Sequence, residues 1–383
     1  MTDTIKNTVQ DCNINFLLGS GLSRPFLATL GKIESLLTDL EGSQLEQSTK
    51  QLIRASIYKK YFDSVISANT KILSNDTACH SVLQNYSSFL RVMNSILLKR
   101  KGTILSKEIN IFTTNVDIFL ERALEDLGLE FNDGFNGRFS PIFSLSNFKK
   151  TRAKKSLHFD NVAELPVFNL LKLHGSLTWQ IDAGEIKFSY DLKHVAEVAT
   201  KTITPDHCVP IEEASTLDSL AEDAAGKTLD ASTQAFMEAY ERLLIVINPT
   251  KEKFKETLMN QTYYELLRLY SNELEKENTV LFAMGFSFAD EHIREITLRA
   301  ANSNPTLMIY VFAYDATAKA DIEAHFNPTK VKNSNIAIIA PDQEDKDGEI
   351  KDKFQYDLPT INGRIFSSIL QKISGERDSP AKA

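Results

Sequence analysis

A doubly wound α/β sheet, mostly parallel and covered by helices on both faces, is the fold this sequence predicts, and two observations predict it. Seven short apolar runs, at residues 14–18, 109–113, 167–173, 243–247, 280–284, 307–312 and 336–339, are bounded by turn signals and rich in Val, Ile and Phe. None alternates apolar and polar residues, which is the pattern of a strand buried on both faces. Helical periodicity fills several of the gaps between them, as at residues 118–127 and 254–277, the arrangement that builds a parallel sheet from strand–helix–strand units.

Two long connections interrupt this alternation, and neither fits a structureless loop in a compact domain. Residues 26–104 place Leu52, Ile57, Tyr61, Phe62 and Ile66, then Val82, Tyr86, Phe89, Leu90, Val92 and Met93, at helical spacing. Residues 182–241 begin polar, pass through an acidic, alanine-rich stretch at 212–225 and end in a helical run. We read both as helical additions forming a smaller helical subdomain. They sit on one domain spanning 1–372, whose core comprises about residues 10–25, 105–180 and 242–345. The polar tail at 375–383 is expected to be disordered.

The 383 residues, 42% of them hydrophobic, suffice for a substantial core. Cys12, Cys79 and Cys208 are odd in number and far apart, which suits reduced thiols in an intracellular protein. No CxxC pair is present, so no metal is expected. The opening MTDTIKNTVQDC lacks the apolar stretch of a signal peptide, and no run approaches the roughly 18 apolar residues of a membrane span. The expectation is a cytoplasmic protein that does not engage a membrane. A formal charge of −8 argues against a dominant, sequence-independent grip on nucleic acid. The basic stretch KKTRAKK at 149–155 reads as a solvated loop.

Four strand ends carry residues suited to chemistry. The run NINFLL leads directly into Gly19-Ser20-Gly21-Leu22-Ser23. Glycines there let backbone N–H groups approach an anion, and a helix starting just after would add its positive end; a plain glycine turn is the alternative. The second, INIFTTNVD, presents Asn115 and Asp117 after Thr113 and Thr114, where ligands of doubly wound sheets bind and where helix caps also stand. The third, NLLKLHGS, ends in His174 and Gly175, a position suited to proton transfer or to a structural histidine. The fourth, VLFAMGFSFAD, brings Gly285 and Ser287, with Asp290 placed to cap the following helix.

In that order, GSGLS, TTNVD, LHGS and GFS resemble the NAD-binding elements of the Sir2 family, a Rossmann-like fold. The closer likeness is to the divergent bacterial Sir2-like proteins that consume NAD in anti-phage defence. It covers about 200 residues and leaves the helical additions unexplained. The resemblance implies that Gly19, Ser20, Gly21 and Ser23 cradle the NAD phosphates and that Asn115 handles the ribose or an attacking water. It further implies Asp117 at the nicotinamide amide, His174 as general base, and Gly285 with Ser287 near the ribose or phosphate. Thr114 stands where the family has Gln, and Arg24-Pro25-Phe26 where sirtuins have Asp-Phe-Arg. Arg24 is a candidate for the missing arginine; Lys251 and His292 are candidate neighbours of the site. The sirtuin zinc ribbon is missing, which argues against deacylation.

The activity so implied is hydrolysis of NAD, as substrate, to nicotinamide and ADP-ribose. It would be the toxic effector reaction of an abortive-infection system, in a homo-oligomer switched on by a separate protein. A HerA-type ATPase is the favoured partner by resemblance, ahead of a short Argonaute. The rival functions are a silent NAD- or ADP-ribose-binding sensor, an NAD-dependent deacylase or ADP-ribosyltransferase, and a structural interaction protein.

Overall fold

The computed structural model describes residues 2–28, 33–100, 105–212, 214–246, 257–341 and 354–378. Its centre is a seven-stranded sheet of β1 (Asn13–Leu18), β2 (Glu108–Thr113), β3 (Phe131–Asn132), β4 (Val167–Lys172), β5 (Thr279–Met284), β6 (Leu307–Phe312) and β7 (Ile336–Ile339). The spatial order is β7-β6-β5-β1-β2-β4-β3, and every pairing is parallel. From β1 the chain builds outward to β2, β3 and β4, then crosses back to β5 on the other side of β1. That reversal opens a crevice at the carboxyl ends of the strands, where doubly wound sheets bind ligands.

Helix α1 (Thr2–Asp11) precedes the sheet, and α2 (Ile33–Gly42), α3 (Gln47–Tyr61), α4 (Asn69–Leu73) and α5 (His80–Leu98) lie between β1 and β2. After β2 comes α6 (Phe119–Asp126). Between β4 and β5 run α7 (Lys193–Ala199), α8 (Leu217–Ala224), α9 (Ala231–Leu243) and α10 (Thr257–Leu274). The last part holds α11 (Glu291–Ser303), α12 (Ala316–His325), α13 (Leu358–Ile361) and α14 (Ser368–Asp378). The final helix thus carries the chain to Asp378, four residues into the tail that the sequence led us to expect as disordered. Among the described residues no helix is long and apolar enough to cross a membrane.

Successive strand residues face opposite sides, so the sheet has two cores. One gathers Phe16, Leu18, Phe282 and Met284 against α5 and the last helices; the other gathers Leu17, Phe112, Leu171 and Leu281 against α10 and α11. At the first core's centre, Phe16 lies 5.0 Å from Phe89, 5.4 Å from Phe282 and 5.8 Å from Phe366, ring to ring. The two helical additions meet on this side. Tyr58 of α3 stacks on Tyr240 of α9 at 4.9 Å, Phe62 packs on Phe236 at 5.9 Å, and the Val209 N–H donates to Ser56 Oγ at 2.8 Å.

One predicted strand is not there. Residue 243 ends α9, whose N-cap Asp230 accepts from the Thr233 N–H, and Val246 makes only an isolated antiparallel bridge with Gly175; residue 247 lies outside the described residues. Leu244, Ile245 and Val246 are nevertheless buried. Apolarity reports burial, and a short apolar run is buried equally well by packing under a sheet edge as by pairing within it. Conversely β3, two residues long, carries too little periodicity to be read in advance. The basic stretch at 149–155 also gains structure: Ala153–Lys155 pairs with Val162–Glu164 in an exposed antiparallel hairpin.

Phe282→Ala removes a ring that packs against those of Phe16, Tyr310, Phe312 and Phe366 in the first core. It should lower stability by about 3–5 kcal/mol, read as a drop in melting temperature; a change within error would show that this cluster does not hold the sheet to its helices.

Candidate active site

The crevice is built by two backbone loops in contact. Beyond β1, the Gly19 N–H donates to the Met284 carbonyl at 3.0 Å and the Gly21 N–H to the Gly285 carbonyl at 3.1 Å. A Cβ on Gly19 would sit 2.3 Å from the Gly285 oxygen, and one on Gly285, at φ +62°, would sit 2.8 Å from the Leu22 nitrogen. Side chains are excluded here because backbone meets backbone. Two N–H groups of the expected phosphate cradle are therefore committed to carbonyls. The helix expected just after GSGLS is instead a single 3₁₀ turn, Ser20–Ser23, and the next described helix, α2, starts at Ile33.

Next to this contact, the end of β2 forms a buried polar network. Thr113 Oγ1 donates to the Leu18 carbonyl at 2.9 Å and accepts from the Asn115 N–H at 3.0 Å, which sets the loop after β2 against that after β1. Asn115 Nδ2 then donates to the Gly19 carbonyl at 3.2 Å and to Ser23 Oγ at 3.4 Å. Ser23 Oγ donates to Asp117 Oδ2 at 2.8 Å and lies 3.0 Å from the Tyr86 hydroxyl. A hydroxyl has one proton and two lone pairs, so with its proton on Asp117 Ser23 accepts from Tyr86, and its capacity is filled. Asp117 Oδ1 accepts from the Phe119 N–H at 3.2 Å. Asn115 caps no helix: its amide faces the β1 loop, and its buried Oδ1 has no hydrogen-bond partner among the described residues.

Asn115 also lines a small cavity of about 40 Å³, together with Ser20, Ser23, Tyr61, Thr114, Asp117 and apolar side chains. Burial pushes the phenols of Tyr61 and Tyr86 up, and the charge of Asp117 adds to it, so both stay protonated donors. Behind the network, buried Lys172 donates to the Asp117 carbonyl and pairs with Glu121 at 3.0 Å, while Ser176 donates to Glu121, also at 3.0 Å. Burial, with the charge of Glu121 adding, pushes the nearby Asp133 carboxyl up to about 6.

His174 follows β4. Its Nε2 lies 3.1 Å from Asp290 Oδ2, and both side chains are largely buried. Gly175, at φ +79°, is pressed against the Ile245 carbonyl, which a Cβ would approach to 2.4 Å. Asp290 caps α11 as the sequence suggested, accepting from the Ile293 N–H at 3.1 Å. Ser287 is exposed and accepts from the Ala289 N–H at 3.4 Å.

The structure thus joins Gly19, Gly21 and Gly285 through backbone, and Ser23, Asn115 and Asp117 through side chains; His174 is held instead by Asp290. Arg24 is exposed, and His292 is exposed on the first turn of α11, beside a groove between α10 and α11. Lys251 lies outside the described residues. Sequence reasoning missed Tyr61 and Tyr86 as site residues, since both fall on the apolar stripe of a helix and count there as core. It also missed Asn69, whose Oδ1 accepts from the Ile118 N–H at 3.0 Å and steadies the loop after β2. Asp290 was legible only as a cap.

Residues 243–339 match the SIR2-like domain. That segment holds β5, β6 and β7 with Gly285, Ser287 and Asp290, about a quarter of the 383 residues; the GSGLS loop, Asn115 and His174 lie outside it. No curated protein matches the chain. Among matching solved structures is one described as "Structural Basis for the Mechanism and Regulation of Sir2 Enzymes", at 12% identity and a TM-score of 0.36, covering 98% of this chain and 100% of that one. Among the described residues no group of three or more His, Cys, Asp or Glu is placed to hold a metal ion.

Ser23→Ala leaves the Asp117 carboxylate and the Tyr86 hydroxyl short of a partner in a buried site, and should destabilise the protein by about 1–3 kcal/mol in thermal melts; an unchanged melt would mean that the network is not closed as described. For Asp133, the folded carboxyl titrates near 6 against an ordinary 3.8, so the folded state holds the proton more tightly and stability falls as pH rises between these values. Asp133→Asn cannot ionise and can still accept from the Phe135 N–H. Its stability relative to wild type should rise from pH 4 to pH 7, and a difference that stays flat across that range would contradict the assignment.

Proposed function

We propose that this chain binds NAD at the carboxyl edge of its sheet and hydrolyses it to nicotinamide and ADP-ribose. The observation that carries the reading is the Asn115 amide. Its NH₂ is anchored to the Gly19 carbonyl and to Ser23, so its buried, unpartnered oxygen is held fixed on a residue that lines the cavity, as an acceptor that must order a ribose hydroxyl or a water has to be. The SIR2-like match over residues 243–339 supports the same reading from an independent part of the chain.

In this mechanism the bond from ribose C1′ to the nicotinamide nitrogen breaks through an oxocarbenium-like state, analogous to glycoside cleavage. Water forms the new C1′–O bond, and His174 takes the proton from that water or from a ribose hydroxyl. Asn115 orders the ribose or the water, and Asp117, held by Ser23, faces the nicotinamide amide. The phosphates fall to the Ser20–Ser23 turn with Gly285 and Ser287 alongside; since the Gly19 and Gly21 N–H groups are taken and the Ser23 hydroxyl is filled, the Ser20 hydroxyl carries more of this task than the glycines. The biological reading rests on the resemblance of the motifs: a toxic anti-phage effector, a homo-oligomer in the cytoplasm, activated by a separate protein, a HerA-type ATPase before a short Argonaute.

The test is nicotinamide release from NAD by the purified protein, alone and with a candidate activator. Asn115→Ala and His174→Ala should each cut release at least about 100-fold. NAD that binds but is never cleaved would replace the hydrolase with a sensor, and consumption that requires an acyl-lysine or protein acceptor would replace it with a deacylase or ADP-ribosyltransferase.

A further inference from the structure

We propose that Asp290 is the positioning residue for His174: it holds the ring through Nε2–H and leaves Nδ1 as the nitrogen that takes the proton. The inference rests on the reading of His174 as the base and adds which atom acts and what aims it. A helix cap needs one carboxylate oxygen. Asp290 gives Oδ1 to the Ile293 N–H and Oδ2 to His174 Nε2, so its second oxygen serves something other than the helix.

The loops involved follow β4 and β5, with β2 and β1 between them in the sheet. The His174–Asp290 pair therefore spans the carboxyl ends of the two strands that bear GSGLS and Asn115. Both ends are braced. Gly175 is pressed on the Ile245 carbonyl, and the loop carrying Asp290 turns through Phe288, at φ +59°, whose ring stacks 4.2 Å from that of Phe326. The Tyr263 ring, 6.2 Å from the imidazole between centroids, flanks the histidine. A carboxylate accepts and cannot donate, so neutral His174 must present N–H at Nε2, which leaves the Nδ1 lone pair to receive a proton. On receiving it the ring becomes a cation beside a buried anion, a charge-assisted pair stronger than the neutral one.

Asp290→Asn separates this role from capping, because Asn caps helices as well as Asp does. With the amide oxygen on the Ile293 N–H, its NH₂ faces Nε2, which must then accept, and the ring proton moves to Nδ1. Nitrogen-15 ring spectra in alkaline buffer, assigned with His174→Gln, should show Nε2–H in the wild type and Nδ1–H in Asp290→Asn. The melting temperature should stay close to wild type. Under conditions where the wild type releases nicotinamide, kcat should fall at least about 100-fold with KM within about twofold, as expected when a base is held in the wrong tautomer. The same tautomer in both proteins, or a reversed tautomer with unchanged kcat, overturns the proposal. A wild type that never cleaves NAD overturns the hydrolase reading instead, and the ring spectra then still decide whether Asp290 sets the tautomer.

Discussion

Everything at the carboxyl edge of this sheet depends on the approach of one backbone to another: the Gly19–Gly21 stretch lies on Gly285 with no side chain between. Parallel pairing brings β1 beside β5, but pairing alone leaves the loops beyond the strands free to diverge. The hydrogen bonds from the Gly19 and Gly21 N–H groups to the Met284 and Gly285 carbonyls extend the ladder past its end and pin both loops. Only residues without Cβ permit it. What resembles a phosphate cradle in the sequence is therefore first a joint, whose glycines are required by mutual contact before any ligand arrives.

From that joint outward the polar groups are placed in sequence. The Gly19 carbonyl, held by the joint, receives the Asn115 amide, and Asn115 shares Ser23 with Asp117 and Tyr86. In a buried setting such a network is strong when each member is satisfied and costly when one is not. Here the Asn115 oxygen is the exception, on a residue that also lines the cavity. The helical insertion from residue 26 to 104 closes this side with Tyr61, Tyr86 and Asn69, so it completes the site as well as adding bulk.

Two places where sequence reasoning departed from the structure share one cause. Of the run at 243–247, the described residues 243–246 are apolar and mostly buried yet form no sheet strand, and the GSGLS loop itself forms a 3₁₀ turn with no helix directly after it. In each, local pattern specified an environment or a turn, while its backbone partner was set by a segment distant in sequence, Gly175 in one case and Gly285 in the other.

By itself the sequence determined the α/β class, six of the seven sheet strands, the helical nature of the long insertion after β1, and the strand ends at which polar residues collect. These follow from short-range periodicity and from glycine and asparagine chemistry, which act over a few residues. Only the tertiary structure decided that Tyr61 and Tyr86 are site residues and core at once, that Asn115 turns toward the β1 loop and caps nothing, and that His174 meets Asp290 across two intervening strands. The reason is physical: a side chain's partner is chosen by the order of strands in the sheet, and that order is fixed by which buried faces pack together over the whole chain.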